Sequence, residues 1–120
     1  MDTIIQIIII IAVILYAINL FKPVKGVENI TVQQAKSRIK NKEIQYIDVR
    51  TPMEYKAHHK KPFKNIPLAD LKKRIDELDQ NKEVVVICQS GMRSMKAAKI
   101  LSKKGFNKIS NVKGGMNAWT

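Results

Sequence analysis

Four consecutive β-branched residues, Val84-Val85-Val86-Ile87, restrict this chain more than any other stretch. A strand that is apolar at every position must be covered on both faces, the condition of a central strand in a parallel sheet with helices on either side. The run ends on Cys88, the chain's only cysteine, and continues through Gln89-Ser90-Gly91-Met92-Arg93-Ser94 into a helical stretch, Met95-Lys96-Ala97-Ala98-Lys99-Ile100-Leu101. Cys88 is thus expected at the strand's carboxyl end, the edge where open parallel sheets bind ligands, just before a helix N-terminus. Free backbone N–H groups and the positive helix end favour a thiolate there, and Arg93 adds a fixed charge, so the thiol pKa should fall below the free value of about 8.5. Gly91 permits the loop to fold its amides inward, while Ser90 and Ser94 can hydrogen-bond sulfur or an oxyanion. A lone cysteine finishing a core strand is commonly inert; this loop argues for a reactive one.

A second constraint removes residues from the folded domain. Ile4 to Phe21 are 18 positions in which only Gln6 and Asn19 are clearly polar, with no charge between Asp2 and Lys22. As a helix this run is about 27 Å long, close to the roughly 30 Å hydrocarbon core of a bilayer, so residues 1–21 read as a transmembrane anchor. A cleaved signal peptide would have a basic residue before the run and a small-x-small site after it, and neither is present. All 22 Lys and Arg follow the span, as do nine of the ten Asp and Glu, which leaves the remainder at +13. The positive-inside rule then places the N-terminus outside the cell membrane and the C-terminal domain in the cytoplasm. One cysteine excludes an internal disulfide and agrees with a reducing compartment. The basic charge shows no stripe interleaved with aromatics, so nucleic acid is not expected; the charge suits either an anionic lipid surface beside the tether or simple solvation.

Between these two features the chain alternates strand and helix. Residues 22–30, with Pro23 and Gly26, read as a juxtamembrane linker, and 31–120 as one α/β domain with an open parallel sheet flanked by helices. Thr31 with Gln34, and Thr51 with Glu54, have capping-box spacing, the second with Pro52 at the first helical position. Ile44 to Asp48 is a strand; Leu68, Leu71, Ile75 and Leu78 mark a helix; Gly105 ends the helix after Cys88; Lys108 to Val112 is a last strand; and Gly114-Gly115 turns towards Trp119. His58 and His59 lie in a basic loop and belong to no metal-ligand cluster, so neither a metal nor a cofactor is expected.

From about Ile30 to Thr120 the sequence resembles single-domain rhodaneses, the sulfurtransferases. Ile47-Asp48-Val49-Arg50 with Glu54-Tyr55 resembles their D-V-R-x-x-x-E-[YF], and Asn65-Ile66-Pro67 their N-I-P. Cys88 to Ser94 is similar to their C-x-x-G-x-R-S loop, and Gly114-Gly115-Met116 with Trp119 to their G-G-x-x-x-W ending. The resemblance implies that Cys88 takes sulfane sulfur from a small anionic donor such as thiosulfate, becomes a persulfide, and passes the sulfur to an acceptor such as a protein thiol. Gln89, Ser90, Gly91, Met92, Arg93, Ser94 and Arg50 are the residues expected to hold the donor; Arg93 could instead fix the loop by a salt bridge, and Arg50 could be structural, as Asp48 is expected to be. One region departs: where the family has G-H-I-x-G-A, this chain reads His58-His59-Lys60-Lys61-Pro62-Phe63, and only His59 matches.

Two other readings fit parts of the pattern. A cysteine and an arginine around an anion nest also build phosphatases and arsenate reductases, but with C-x5-R loops; Cys88 to Arg93 is C-x4-R, one residue shorter and suited to a single sulfur atom. A non-catalytic docking or sulfur-relay module serving a membrane partner would need the same fold.

Overall fold

A computed structural model describes residues 2–20 and 24–119. Phe21, Lys22 and Pro23, the end of the expected span and the start of the expected linker, lie outside the described residues, as does Thr120. Helix α1 covers Asp2–Leu20 and has no buried residue. It is long and apolar enough to cross a membrane, by length and composition.

The α/β domain holds five parallel strands: β1 (Val27–Ile30), β2 (Gln45–Asp48), β3 (Lys64–Asn65), β4 (Val84–Ile87) and β5 (Ile109–Val112), in the order β1-β5-β4-β2-β3. The uninterrupted apolar run is the central strand, and all four of its residues are fully buried. Its side chains alternate between two cores. Val84, Val86 and Cys88 join Ile47, Val49, Leu71, Ala97, Ala98 and Leu101 on the side of α4 (Leu71–Arg74) and α5 (Met92–Lys103). Val85 and Ile87 join Ile30, Val32, Ala35, Phe63 and Met116 on the side of α2 (Val32–Arg38) and α6 (Gly115–Ala118). Small Ala97 and Ala98 let α5 approach the sheet beside Cys88.

Three expectations change. Residues 27–30, read as linker, form β1, paired with β5 from Val27↔Ile109 to Ile30↔Val112, so the folded domain begins before residue 31. An edge strand exposes Glu28 and Asn29, so its sequence lacks the continuous apolar signature of β4. The helix expected over Leu68 to Leu78 is a 3-10 turn (Leu68–Asp70), then α4, then a second 3-10 turn (Ile75–Glu77). Two of the three intervals in that apolar series are three residues, which matches the 3-10 repeat. Finally, α5 starts at Met92 instead of Met95: Gly91, at φ +103°, is its N-cap, so Met92, Arg93 and Ser94 form its first turn.

Both capping boxes form. Thr31 Oγ1 accepts from the Gln34 amide at 3.1 Å while Gln34 Oε1 accepts from the Thr31 amide at 2.8 Å; Thr51 and Glu54 repeat this at the start of α3 (Pro52–Ala57). Thr31→Ala should therefore lower the unfolding free energy by about 1 kcal/mol, seen as a lower urea midpoint at unchanged slope. An unmoved midpoint would mean that burial of Val32 and Ala35 alone holds α2.

Candidate active site

The loops after β2 and β4 lie side by side because those strands pair, with Asp48 opposite Ile87 and the Val49 amide donating to the Ile87 carbonyl at 3.0 Å. Cys88 closes β4 and is completely buried. Its Sγ accepts from the Gly91 amide at 2.9 Å and lies 3.2 Å from Ser94 Oγ. The left-handed backbone of Gly91 turns that N–H back onto the sulfur; a Cβ there would be strained. Burial pushes the Cys88 thiol up, but the Ser94 hydroxyl and the amides of Ser94, Gly91 and Ser90 together outweigh it and leave the pKa lowered.

Behind the sulfur runs a polar chain. Ser94 Oγ donates to Asn111 Oδ1 at 2.5 Å and sits 3.1 Å from the Gly91 carbonyl; Asn111 Nδ2 donates to Asn29 Oδ1 at 3.0 Å. Asn111 is 4% exposed within β5. Sequence reasoning missed it and Asn29. The polar pair Ser110-Asn111 inside the strand expected over Lys108 to Val112 was the available signal.

Each of the two arginines is paired with a carboxylate. Arg50 is 2% exposed: its Nε donates to both Asp48 oxygens at 3.0 and 3.1 Å, its terminal nitrogens to Asp48 Oδ2 at 2.8 Å, to the His58 carbonyl at 2.5 Å and to Gln89 Oε1 at 3.2 Å. With these contacts Arg50 braces the loops, and Asp48 is its counter-ion. Arg93 forms a two-pronged ion pair with Glu54 at 2.6 and 2.9 Å. Hydrogen bonding from Arg93 leads the effects that hold the Glu54 carboxyl at about 2. Its ordinary value is about 4.3, so the pair steadies the folded domain at neutral pH and the effect is lost as pH falls towards 2. Arg93 thus takes the loop-fixing alternative in this state. Gln89 spans Arg50 and Asn117, donating to Asn117 Oδ1 at 2.6 Å. Ser90 is exposed and contributes its amide, and the Met92 side chain points to solvent at 74% exposure.

The rest of the framework comes from α6. The Met116 and Asn117 amides donate to the Cys88 and Gln89 carbonyls at 2.8 and 2.9 Å. Gly115, at φ +56°, packs so closely that a Cβ would lie 2.2 Å from the Cys88 carbonyl oxygen. Trp119 meets Phe63 edge-on at 5.9 Å, as a packing residue. In the divergent loop His59 stacks on Tyr55 with ring centres 4.0 Å apart, and Tyr55 donates to the Phe63 carbonyl at 2.6 Å; these contacts close a loop that lacks the family's glycines. Among the described residues no group of three His, Cys, Asp or Glu could hold a metal.

A cysteine at the end of the central strand of a parallel sheet, ringed by amides at a helix start, defines a class of domains that handle small anions at sulfur. Within that class the chain belongs to the rhodanese-like domain family, whose model matches residues 31–120. A Bacillus subtilis protein described as a sulfurtransferase candidate, YtwF, is 37% identical over 94 residues, covering 78% of this chain and 90% of its own. YrkF of the same organism, described as a sulfur-carrier candidate, is 38% identical over 96 residues, 79% of this chain; the chain spans about half its length, 52%. The rhodanese-like domain protein of Staphylococcus aureus superposes with a TM-score of 0.72 at 30% identity, over 78% of this chain and 91% of that one. The relatives therefore lie among sulfurtransferases and sulfur carriers.

Gly115→Ala should destabilise the domain by about 3 kcal/mol or more, because relief requires moving the backbone that carries Cys88. Alkylation of Cys88 should become less pH-selective in whatever folded fraction remains. A variant of unchanged stability would show that α6 can withdraw from the loop.

Proposed function

We propose that this chain is a membrane-anchored sulfurtransferase in which Cys88 carries sulfane sulfur as a persulfide. The observation that supports it most is the Gly91 amide turned onto the cysteine sulfur itself, at 2.9 Å, with Ser94 Oγ 3.2 Å from the same atom. With thiosulfate as donor, the Cys88 thiolate attacks the outer sulfur; a new S–S bond forms, the old one breaks, and sulfite leaves with its electron pair. The resulting persulfide is anionic, so the inward N–H groups that favoured the thiolate favour it too. A thiophilic acceptor, cyanide in the assay or a protein thiol in the cell, then attacks the terminal sulfur and regenerates the thiolate. Cys88 is buried, which keeps water from the persulfide and requires the loop that carries exposed Ser90 and Met92 to part for the donor.

The first test is mass spectrometry of the intact protein after exposure to thiosulfate, with turnover measured alongside. One sulfur atom should add to the wild type and none to Cys88→Ser, with thiosulfate:cyanide turnover abolished in the variant, because a serine hydroxyl neither ionises near neutrality nor holds labile sulfur. Turnover that survives the substitution would end the reading. Persulfide that forms but is handed only to a protein thiol would identify a sulfur carrier, the description given to YrkF.

The membrane part rests on α1, 19 residues with no charge after Asp2. In this reading the N-terminus faces outward, the basic domain lies in the cytoplasm, and its lysines attract the anionic leaflet. The full chain should stay with membranes through high-salt and alkaline washes, since hydrophobic insertion is not screened as surface attraction is. Recovery of a shortened, soluble chain outside the cell would identify α1 as a signal sequence.

A further inference from the structure

The polar chain behind Cys88 has one hydroxyl hydrogen and too many acceptors for it. Ser94 has a single O–H, yet its oxygen lies 3.2 Å from Cys88 Sγ, 2.5 Å from Asn111 Oδ1 and 3.1 Å from the Gly91 carbonyl. The Gly91 carbonyl is already supplied by the Met95 amide at 3.3 Å and loses little without the Ser94 hydrogen, so the contest that matters is between sulfur and Asn111. While Cys88 is a thiol every member is satisfied in one direction. The S–H donates to Ser94 Oγ, the Ser94 hydroxyl to Asn111 Oδ1, and Asn111 Nδ2 to Asn29 Oδ1. A thiolate cannot donate and must accept. Once the Ser94 hydrogen turns to sulfur, Ser94 Oγ and Asn111 Oδ1 face each other as two acceptors with nothing between them, a costly arrangement for a residue only 4% exposed.

We propose that Asn111 is a positioning residue for Cys88 whose side-chain amide turns over when the sulfur becomes anionic, so that the chain reverses and every member donates towards the sulfur. In the reversed order Asn29 donates to Asn111 Oδ1, Asn111 Nδ2 to Ser94 Oγ, and the Ser94 hydroxyl to the thiolate or persulfide. The S–H bond is the only covalent bond broken, and its proton leaves to a solvent base; the amides only rotate. Asn29 stands exposed on the edge strand, where its own rotation is accommodated by water. This rests on Cys88 being the sulfur-carrying nucleophile and assigns to Asn111 the task of matching one site to both of its charge states.

The charged groups around the sulfur are Arg93 on α5, Glu54 on α3, and Asp48 with Arg50 at the end of β2, joined as the pairs Glu54–Arg93 and Asp48–Arg50. Neither β4 nor α6 carries a charged residue. Substitutions of uncharged Asn111 leave both pairs in place, so a change in the Cys88 titration reports on the polar chain.

Cys88 is the only cysteine, so the rate of its alkylation by iodoacetamide against pH, in the full chain in detergent micelles, reads the thiolate directly and requires no sulfur transfer. In Asn111→Leu the midpoint should rise by about one unit, because the inward donor to Ser94 is gone. A fixed acceptor in place of a turning amide would give the opposite sign, since its removal frees the Ser94 hydrogen for sulfur. In Ser94→Ala, adding Asn111→Leu should produce no further shift, whereas a merely structural Asn111 would shift both backgrounds equally. Should Asn111→Leu not fold, the Asn111 side-chain amide resonances of the unmodified chain decide the matter: they should move with the Cys88 midpoint and stay still in Cys88→Ser. A fall, no change or additivity in the alkylation midpoints, or static resonances, overturns the proposal. A chain that shows the shift but forms no persulfide would instead overturn the sulfurtransferase reading and leave the relay standing.

Discussion

The buried ion pair between Asp48 and Arg50 is the interaction on which the geometry around Cys88 depends. Two ions taken out of water are costly even when paired, and such a pair is seldom a net gain in stability over apolar packing. What it supplies here is fixed direction. One guanidinium joins the end of β2, the His58 carbonyl of the divergent loop and Gln89 beside the cysteine through its planar fork of donors. Asn65 donates to the Asp48 and Arg50 carbonyls, both at 3.0 Å, and ties β3 to the same point. A lysine could not replace Arg50, because it has no planar fork to reach three segments.

How much of this was legible in the sequence follows from which signals are local. The central strand, both capping boxes and the cysteine loop could be read because each is written within a few consecutive residues. The cap residues do their work three positions away, and β4 announces its double burial by composition alone. Edge strand β1 could not be read: Glu28 and Asn29 face out, and its pairing with β5 joins residues about eighty positions apart. The α4 region was read with the wrong repeat, since apolar residues three apart suit a 3-10 turn as well as a helix. Arg50 and Arg93 were legible as charges but not as pairs, because Glu54 and Arg93 are 39 residues apart and only the fold brings them together. Asn111 could be seen as a polar residue in a strand but not placed beside the cysteine, because its partners are on β1 and α5.

The divergent loop shows how a fold can keep a site while losing the residues that usually shape it. Glycines allow backbone to pass closely; this chain uses side chains instead. Tyr55 holds the Phe63 carbonyl, His59 lies flat on Tyr55, and Phe63 is buried against Tyr46 and Trp119. The His58 carbonyl still reaches Arg50, so the one contact the active site needs from this loop survives the change in sequence.

Loop size and donor direction together decide what such a site can transfer. An enzyme that attacks a phosphoryl group has to aim its donors at oxygens lying beyond the nucleophile, so the amides must point past the sulfur and an arginine must be free to meet the developing charge. Here the Gly91 amide ends on Sγ, Ser94 Oγ lies 3.2 Å from it, and the Arg93 guanidinium is paired with Glu54. A persulfide asks for the opposite of an oxyanion hole: one more polarisable atom, of the same charge as the thiolate it replaces, within reach of the same N–H groups. The short C-x4-R turn from Cys88 to Arg93 closes on its own cysteine, and that closure is what the persulfide proposal rests on.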